Sequence, residues 1–246
     1  MSVKMSIVIP FHNESENITP LIEKTDDIMQ KMQISYEIVA VDDASTDDTY
    51  TILQNLTKKF PNLRLLHHQN NCGQSTSVVT GVRNAKGEFI ATLDGDGQND
   101  PADIPNLYKA MVESSNPNLK MVAGYRKKRK DTIFKRWGSK FANAVRSRLL
   151  KDATPDTGCG LKLFYRETFL RLPYFDHMHR FLPALVQREG GDVISVEVTH
   201  HPRIHGTSHY NNLQRLWVGI IDLMGVMWLI KRSHKPQIVE FTEAQK

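Results

Sequence analysis

The chain has 246 residues, of which 40% are hydrophobic and 24% are charged. This composition is typical of a globular protein of one or two domains, and it excludes a disordered chain, a collagen and a coiled coil. The two cysteines, Cys72 and Cys159, are too few for a disulfide framework or a thiolate zinc site, which indicates a reducing compartment.

The predicted elements alternate between short apolar strands and helices over the first half of the chain. In chain order, we predict strands at 5–10, 36–41, 63–66, 89–93 and 119–123, with helices at 16–32, 46–60, 73–85 and 103–113 between them. Strands and helices in this order form βαβ units. The sequence therefore predicts an α/β fold with a Rossmann-like, mainly parallel sheet flanked by helices.

Past residue 125 the alternation stops. Short strands at 161–164 and 193–198 indicate an appended region, and an apolar helix is predicted at 216–230, with Trp217 and Trp228 near its ends. At about 1.5 Å per residue this helix is roughly 22 Å long, which is short of the roughly 30 Å needed to span a bilayer. Three environments remain open for it: the protein interior, the membrane interface, and contact with a membrane protein or a second copy.

The net charge of +5 is distributed unevenly along the chain. Residues 126–151 contain eleven Lys or Arg and one acid, Asp131, whereas the remainder contains 21 basic and 26 acidic residues. A basic segment on an acidic body indicates a local anionic partner, such as a phosphorylated substrate or an anionic membrane surface. We expect no nucleic-acid partner, because no helix-turn-helix, zinc-finger or RRM pattern accompanies the charge.

Acidic residues follow three of the predicted strands, in the segments 11–14, 42–43 and 94–96. The carboxyl ends of parallel strands form the ligand-binding edge of such a sheet, so we expect these acids to lie close together. Two of the segments also have simpler interpretations. Asp42 and Asp43 could belong to a helix-capping turn, and Glu14 could interact with a helix N-terminus.

The segment Asp94-Gly95-Asp96 predicts a metal site. Residues two apart at the end of a strand project to the same side, and their carboxylates would repel each other without a cation. Oxygen ligands favour Mg²⁺ or Mn²⁺ over Zn²⁺, and Gln98 could add a carbonyl oxygen. The segment matches neither an EF-hand nor a Rossmann dinucleotide fingerprint, and the chain contains no P-loop.

Three motifs in the first half resemble the successive signatures of family 2 glycosyltransferases, namely VIPFHNE at 8–14, VDDASTD at 41–47 and LDGDGQ at 93–98. Within that family, DTGCGLKLF at 156–164 resembles the branch that transfers sugars to undecaprenyl or dolichyl phosphate. The resemblance covers about residues 5–210. It implies a GT-A fold, a nucleoside-diphosphate sugar donor, a divalent metal and inversion at the anomeric carbon.

The resemblance also implies roles for individual residues. The nucleotide-sugar contacts would come from Pro10, Phe11, Glu14, Asp42, Asp43, Asp94 and Asp96. The metal ligands would be Asp94, Asp96 and Gln98, and a metal there would stabilise the charge that develops on the leaving nucleoside diphosphate. The catalytic residues would be Asp96, Arg126 and Asp156, with Asp156 either holding position or acting as a nominal base.

The implied acceptor calls for cations more than for a general base, because a phosphate monoester with a second pKa near 6 is already largely ionised. We expect the acceptor phosphate to be bound by Arg126, Arg180, Arg203 and Ser208. Arg favours phosphate through its two-pronged fork. The segment at 203–209 departs from the family pattern at His209, where lysine is common. The basic segment 126–151 would contact anionic lipid headgroups.

The sequence thus predicts a metal-dependent, inverting transferase that moves a hexose or N-acetylhexosamine from UDP or GDP to a polyprenyl phosphate. We expect residues 1–212 to form the GT-A domain, with a nucleotide-binding half to about 125 and an acceptor half after it. Residues 213–246 would form a helix and polar tail that associate with a membrane, an integral membrane protein or a second copy. The expected location is the cytoplasmic face of the membrane, with peripheral attachment.

Two alternative functions remain open. One is a family 2 transferase that acts on a sugar hydroxyl of a glycan or glycolipid. The other is a membrane scaffold that binds nucleotide sugars without turnover.

Overall fold

The structure, a computed structural model, describes residues 2–126, 146–150, 152–202 and 212–234, and in the last of these ranges it describes side chains from residue 217. Its strands are β1 (Met5–Phe11), β2 (Tyr36–Asp42), β3 (Leu63–His67), β4 (Phe89–Thr92), β5 (Leu119–Tyr125), β6 (Lys162–Tyr165) and β7 (Asp192–Glu197). Its main helices are α1 (Ser15–Lys31), α2 (Thr49–Lys59), α3 (Gly73–Asn84), α4 (Ile104–Val112), α5 (Arg166–Leu170), α6 (Leu182–Arg188) and α7 (Asn212–Lys231).

All of these strands belong to one sheet, in the order β3-β2-β1-β4-β6-β5-β7. The neighbours pair in parallel except at β6, which is antiparallel to both β4 and β5. The prediction of a mainly parallel α/β sheet is therefore confirmed.

The expectation that the later strands form an appended region is wrong, because β6 lies inside the main sheet and β7 extends it beyond β5. Residues 162–164 of β6 are buried, and a buried strand needs a hydrogen-bonding neighbour on each edge. The position between β4 and β5 supplies both neighbours.

Helices cover both faces of the sheet. Consecutive strand residues point to opposite sides, so each strand contributes apolar residues to both faces. On one face, Ile7 and Ile9 of β1 pack with apolar residues of α1, α2 and α4. On the other face, Val8 packs with apolar residues of α3, α6 and α7. This arrangement leaves the loops at the carboxyl ends of β1, β2 and β4 to form the ligand-binding edge.

The C-terminal helix α7 packs on this second face by one side only. Val226 is buried, and Leu223 and Leu229 pack against the same core cluster. The outward side carries large apolar residues that are exposed to solvent, including Trp217 (64%) and Trp228 (59%). Among the helices that the structure describes, none has the length and apolar character required to cross a bilayer.

Candidate active site

The carboxyl ends of β1, β2 and β4 surround a cavity of about 280 Å³, called here the first cavity. Six of the predicted nucleotide-sugar residues line it, namely Pro10, Phe11, Glu14, Asp43, Asp94 and Asp96. Further lining residues that the sequence did not single out include His12, Asn71, Gln74 and Ser77. The structure therefore brings together residues from three separate motifs at the edge where the topology places a ligand.

Asp43 also organises the loop that closes this cavity. Its carboxylate accepts hydrogen bonds from the backbone N–H groups of Cys72 (2.9 Å) and Gly73 (2.8 Å), and it lies 2.7 Å from His68 Nδ1. These bonds fix the start of α3 against the end of β2. Any contact with a nucleoside base would thus come from a carboxylate whose orientation is already set.

Asp42 does not line the first cavity. It is buried, and its Oδ2 lies 2.7 Å from His67 Nδ1, while its Oδ1 has no hydrogen-bond partner in the part of the chain that the structure describes. The structure separates the two neighbouring aspartates, with Asp43 at the cavity and Asp42 paired to the adjacent strand.

Asp94 and Asp96 form the acidic wall of the first cavity. Burial and then the charge of Asp96 raise the pKa of Asp94 to about 6, although Lys162 and Arg126 act in the opposite direction. A raised pKa means that the ionised pair is strained without a counter-ion. Because these are hard oxygen donors, they fit Mg²⁺ or Mn²⁺.

Gln98, the third predicted metal ligand, is placed differently. Its backbone N–H donates to Asp96 Oδ1 (3.1 Å) and its side-chain amide donates to the carbonyl oxygen of His201 (3.4 Å). It does not line the first cavity. In this arrangement Gln98 supports the loop that carries Asp96.

Two glycines allow close packing around these carboxylates, Gly95 against β1 and Gly160 against Asp94. A Cβ atom on Gly95 would lie 2.6 Å from the carbonyl oxygen of Pro10, and one on Gly160 would lie 2.1 Å from Asp94 Oδ2. Both distances are too short for any side chain. Gly160 is thus required for the position of Asp94.

A second cavity, of about 380 Å³, adjoins the first one. Gln74 and Asp94 line both cavities, and Gln74 Nε2 donates to Asp94 Oδ1 at 2.7 Å. The second cavity is also lined by three basic residues, Arg126, Lys162 and Arg180. An acidic cavity and a basic cavity therefore share one wall, at Asp94.

Arg126 and Asp156 form a two-pronged ion pair. The guanidinium Nε and Nη2 atoms donate to the two carboxylate oxygens at 2.6 and 2.8 Å, and each side chain is only 10% exposed. Although burial opposes the charge, these hydrogen bonds raise the pKa of Arg126 above its usual value. The arrangement favours the first of the two expected roles of Asp156, that of holding position, because a carboxylate bound to a permanent cation is a weak base.

Lys162 and His179 line the second cavity but were not predicted as site residues. Lys162 is buried, donates to the carbonyl oxygen of Cys159, and has a pKa lowered by burial. The Nδ1 atom of His179 lies 2.7 Å from Ser75 Oγ, and burial lowers the pKa of His179 to about 3, so this ring is neutral near pH 7. Lys162 lies within the motif at 156–164, which was the one signal available in the sequence.

Several predicted residues lie outside the described part of the chain. These are Arg203 and Ser208, together with most of the basic segment, at 127–145 and 151. Within the described part of that segment, Arg146 is buried and donates to Asp152 Oδ2 (2.8 Å) and to the Thr154 carbonyl oxygen (2.9 Å). Arg146 therefore has an internal role, whereas Arg148 is exposed.

The fold and the paired cavities define an α/β ligand-binding protein whose site joins an acidic half to a basic half. The sequence profile described as Glycosyl transferase family 2 matches residues 6–172, which is more than half of the chain, so this chain belongs to that family.

Two curated relatives show what this chain is similar to. A dodecaprenyl-phosphate galacturonate synthase of Rhizobium johnstonii is 34% identical, covering 96% of this chain and 70% of its own. An undecaprenyl-phosphate 4-deoxy-4-formamido-L-arabinose transferase of Proteus mirabilis is 30% identical, covering 90% of this chain. The match spans 65% of the Proteus protein, slightly less than two thirds of its length.

Solved structures show the same fold. A mannosyltransferase from Pyrobaculum calidifontis, in complex with GDP-mannose and Mn²⁺, aligns with a TM-score of 0.65 at 20% identity, over 96% of this chain and 66% of its own. Glucosyl-3-phosphoglycerate synthase from Mycobacterium tuberculosis, in complex with Mn²⁺, UDP and phosphoglyceric acid, aligns with a TM-score of 0.69 at 16% identity. This alignment covers 96% of the present chain and 80% of the synthase. The predicted GT-A fold is confirmed by this likeness.

Proposed function

We propose that this protein is an inverting glycosyltransferase that moves a sugar from a nucleoside diphosphate to a polyprenyl phosphate. The observation that carries the proposal is the shared wall at Asp94 between an acidic cavity and a cavity lined by Arg126, Lys162 and Arg180. The relatives named above, which act on dodecaprenyl and undecaprenyl phosphate, support the choice of acceptor.

The donor occupies the first cavity. Among the residues that line this cavity, Pro10, Phe11 and Asp43 surround the nucleoside. Asp94 and Asp96 lie beside the diphosphate. A Mg²⁺ or Mn²⁺ ion held by these two aspartates would neutralise the charge that the leaving diphosphate gains. Gln74 fixes the orientation of Asp94, so the carboxylate is in position before the donor binds.

The acceptor phosphate occupies the second cavity and attacks the sugar across the shared wall. A phosphate oxygen forms the new bond to the anomeric carbon while the bond from that carbon to the diphosphate breaks, and attack from the opposite face inverts the configuration. Because the phosphate is already ionised, the protein supplies cations and position in place of a proton acceptor. Asp156 holds Arg126 for this purpose, and Arg180 lines the same cavity.

A product assay tests this function. Purified protein would be incubated with undecaprenyl phosphate, Mn²⁺ and a panel of UDP- and GDP-linked hexoses and N-acetylhexosamines. We expect a lipid-linked sugar phosphate that mild acid hydrolyses, and we expect D96A to lose it while D27A, a change at an exposed acid of α1, retains it.

Two other results of this assay would contradict the proposal. An acid-resistant glycoside would indicate transfer to a sugar hydroxyl. Equal transfer by the wild type and D96A, including no transfer by either, would indicate a binding scaffold.

Access to a polyprenyl lipid requires a membrane, and we propose that the outward side of α7 lies in an anionic bilayer interface. The exposed apolar residues recur at helical spacing, at Trp217, Ile220, Ile221, Met224 and Trp228. Tryptophan at both ends of such a surface is typical of membrane interfaces. The basic segment 126–151, apart from Arg126 and Arg146 with their internal partners, supplies the complementary charge for anionic headgroups.

The position of α7 supports this assignment, because the helix packs beside the second cavity. Asp222 Oδ2 lies 3.3 Å from His177 Nδ1, just before the short helical turn Met178–Arg180 that supplies Arg180 to the cavity. This contact links α7 to the turn that supplies a cation to the proposed acceptor site.

Liposome flotation tests the membrane surface. We expect binding to vesicles with anionic lipid, weakened by salt and by I221E, and unchanged by L170E, which alters an exposed leucine on α5. If I221E leaves flotation unchanged but dissociates a dimer in light scattering, the outward face of α7 is a contact between copies and the membrane assignment is wrong.

A further inference from the structure

We infer that Lys162 binds the acceptor phosphate at the base of the second cavity. This inference rests on the proposed function and adds to it a cation that neither the motifs nor the relatives' names assign.

The direction of β6 explains how a lysine of a central strand reaches the site. Lys162 is the first residue of β6 and pairs with Thr92, the last residue of β4, and with Ala123 of β5. Because β6 runs antiparallel to β4, the start of β6 lies at the carboxyl end of β4, next to Asp94. The antiparallel strand therefore carries a basic residue to the ligand-binding edge of a parallel sheet.

The burial of this ammonium group calls for an anionic partner. Lys162 is 3% exposed, and an ammonium group is costly to bury unless its charge is compensated. An ammonium group carries three N–H donors. Among the described residues, Lys162 Nζ donates one hydrogen bond, to the Cys159 carbonyl oxygen.

The carboxylates nearest to Lys162 already have other partners. Asp156 is held by the fork of Arg126, and Asp94 accepts from Gln74 and lies beside Asp96 in the wall of the first cavity. An incoming phosphate would bring the negative charge and the acceptor oxygens that complete the site. The compact ammonium can contact phosphate at the cavity base, where the planar Arg126 fork is already engaged.

Competitive binding tests this role. The full chain, loaded with Mn²⁺ and UDP or GDP, would be titrated with farnesyl phosphate and with farnesol, and the ratio of the two affinities would be measured for each variant. We expect the wild type to prefer the phosphate, and K162M to lose that preference by about tenfold or more while it binds farnesol and nucleotide as before. K120M, at a lysine on the neighbouring strand β5, should match the wild type.

The variant K162Q separates the effect of the charge from that of the hydrogen bond to the Cys159 carbonyl oxygen. K162Q retains a donor for the Cys159 carbonyl oxygen but has no charge, so we expect it to lose the preference as K162M does. If K162Q or K162M retains the wild-type preference, Lys162 only supports the loop at Cys159 and the inference is wrong. If the wild type itself shows no preference for the phosphate, the proposed acceptor is wrong as well.

Discussion

Asp156 holds Arg126 in a two-pronged ion pair, with both nitrogen–oxygen distances below 2.9 Å and little exposure of either side chain. The two residues are 30 positions apart in sequence, and their pairing fixes a cation at the wall of the second cavity. The pair balances the charges of the two side chains and gives Asp156 a role that involves no proton transfer.

We therefore predict that D156N lowers kcat/KM for the lipid acceptor by about 10- to 100-fold, because Arg126 loses its charged anchor. R126K should be similarly impaired, since lysine cannot form the fork. Nucleotide binding by calorimetry should change less than twofold in both variants. A pH–rate profile in which D156N removes a basic limb would instead identify Asp156 as the general base.

We predict that G160A abolishes transfer and weakens donor binding. The added Cβ would lie 2.1 Å from the Asp94 carboxylate, so Asp94 has to move. G219A is a suitable control, because a Cβ on this α7 glycine has no heavy atom within 4 Å and alanine favours a helix. Full activity in folded G160A would show that the position of Asp94 is not important.

We predict that D94N stabilises the ligand-free protein at pH 7. Because the pKa of Asp94 is raised to about 6 in the folded state, the ionised carboxylate is less favourable there than in the unfolded chain, whose pKa is about 3.9. This contribution makes stability fall as pH rises from about 4 to 6, and D94N should recover about 1–3 kcal/mol above that range.

Thermal unfolding with and without Mn²⁺ and nucleotide tests this prediction. D94N should unfold several degrees higher than the wild type without ligands and should gain no stability from the ligands, in contrast to the wild type and D27N. A lower unfolding temperature for ligand-free D94N would contradict the assigned strain.

We predict that His179 contributes to acid destabilisation. Burial lowers its pKa to about 3, so below about pH 6.5 the unfolded state takes up a proton that the folded state does not. Stability is thus lost as pH falls, and H179N should reduce the loss between pH 7 and pH 5 by about 2 kcal/mol. Urea unfolding at both pH values measures this, with the exposed His234 as the control position, and an equal loss in H179N would refute it.

The first half of the fold could be predicted from the sequence because each strand and helix there is determined by residues that are close together in the sequence. The strands from Met5 to Tyr125 agree with their predicted positions to within a few residues, and the acids that follow them meet at one edge as expected. The sequence could not show that β6 inserts between β4 and β5, because strand order depends on pairings between distant segments.

In the site, only the residues that belong to recognisable motifs could be predicted from the sequence. Asp94 and Asp96 are recognisable by spacing, whereas the pairing of Asp42 with His67 depends on a neighbouring strand. Burial of Lys162 could not be inferred either, since a lysine in a short strand is normally exposed.

The most direct test of the metal and donor site is a crystal structure with Mn²⁺ and UDP or GDP bound. We expect an anomalous manganese peak in the first cavity, within coordination distance of both Asp94 and Asp96 and of the diphosphate. A nucleotide bound elsewhere, or a peak at Asp43, His68 and Cys72, whose ligand atoms lie within 4.8 Å of one another, would contradict it.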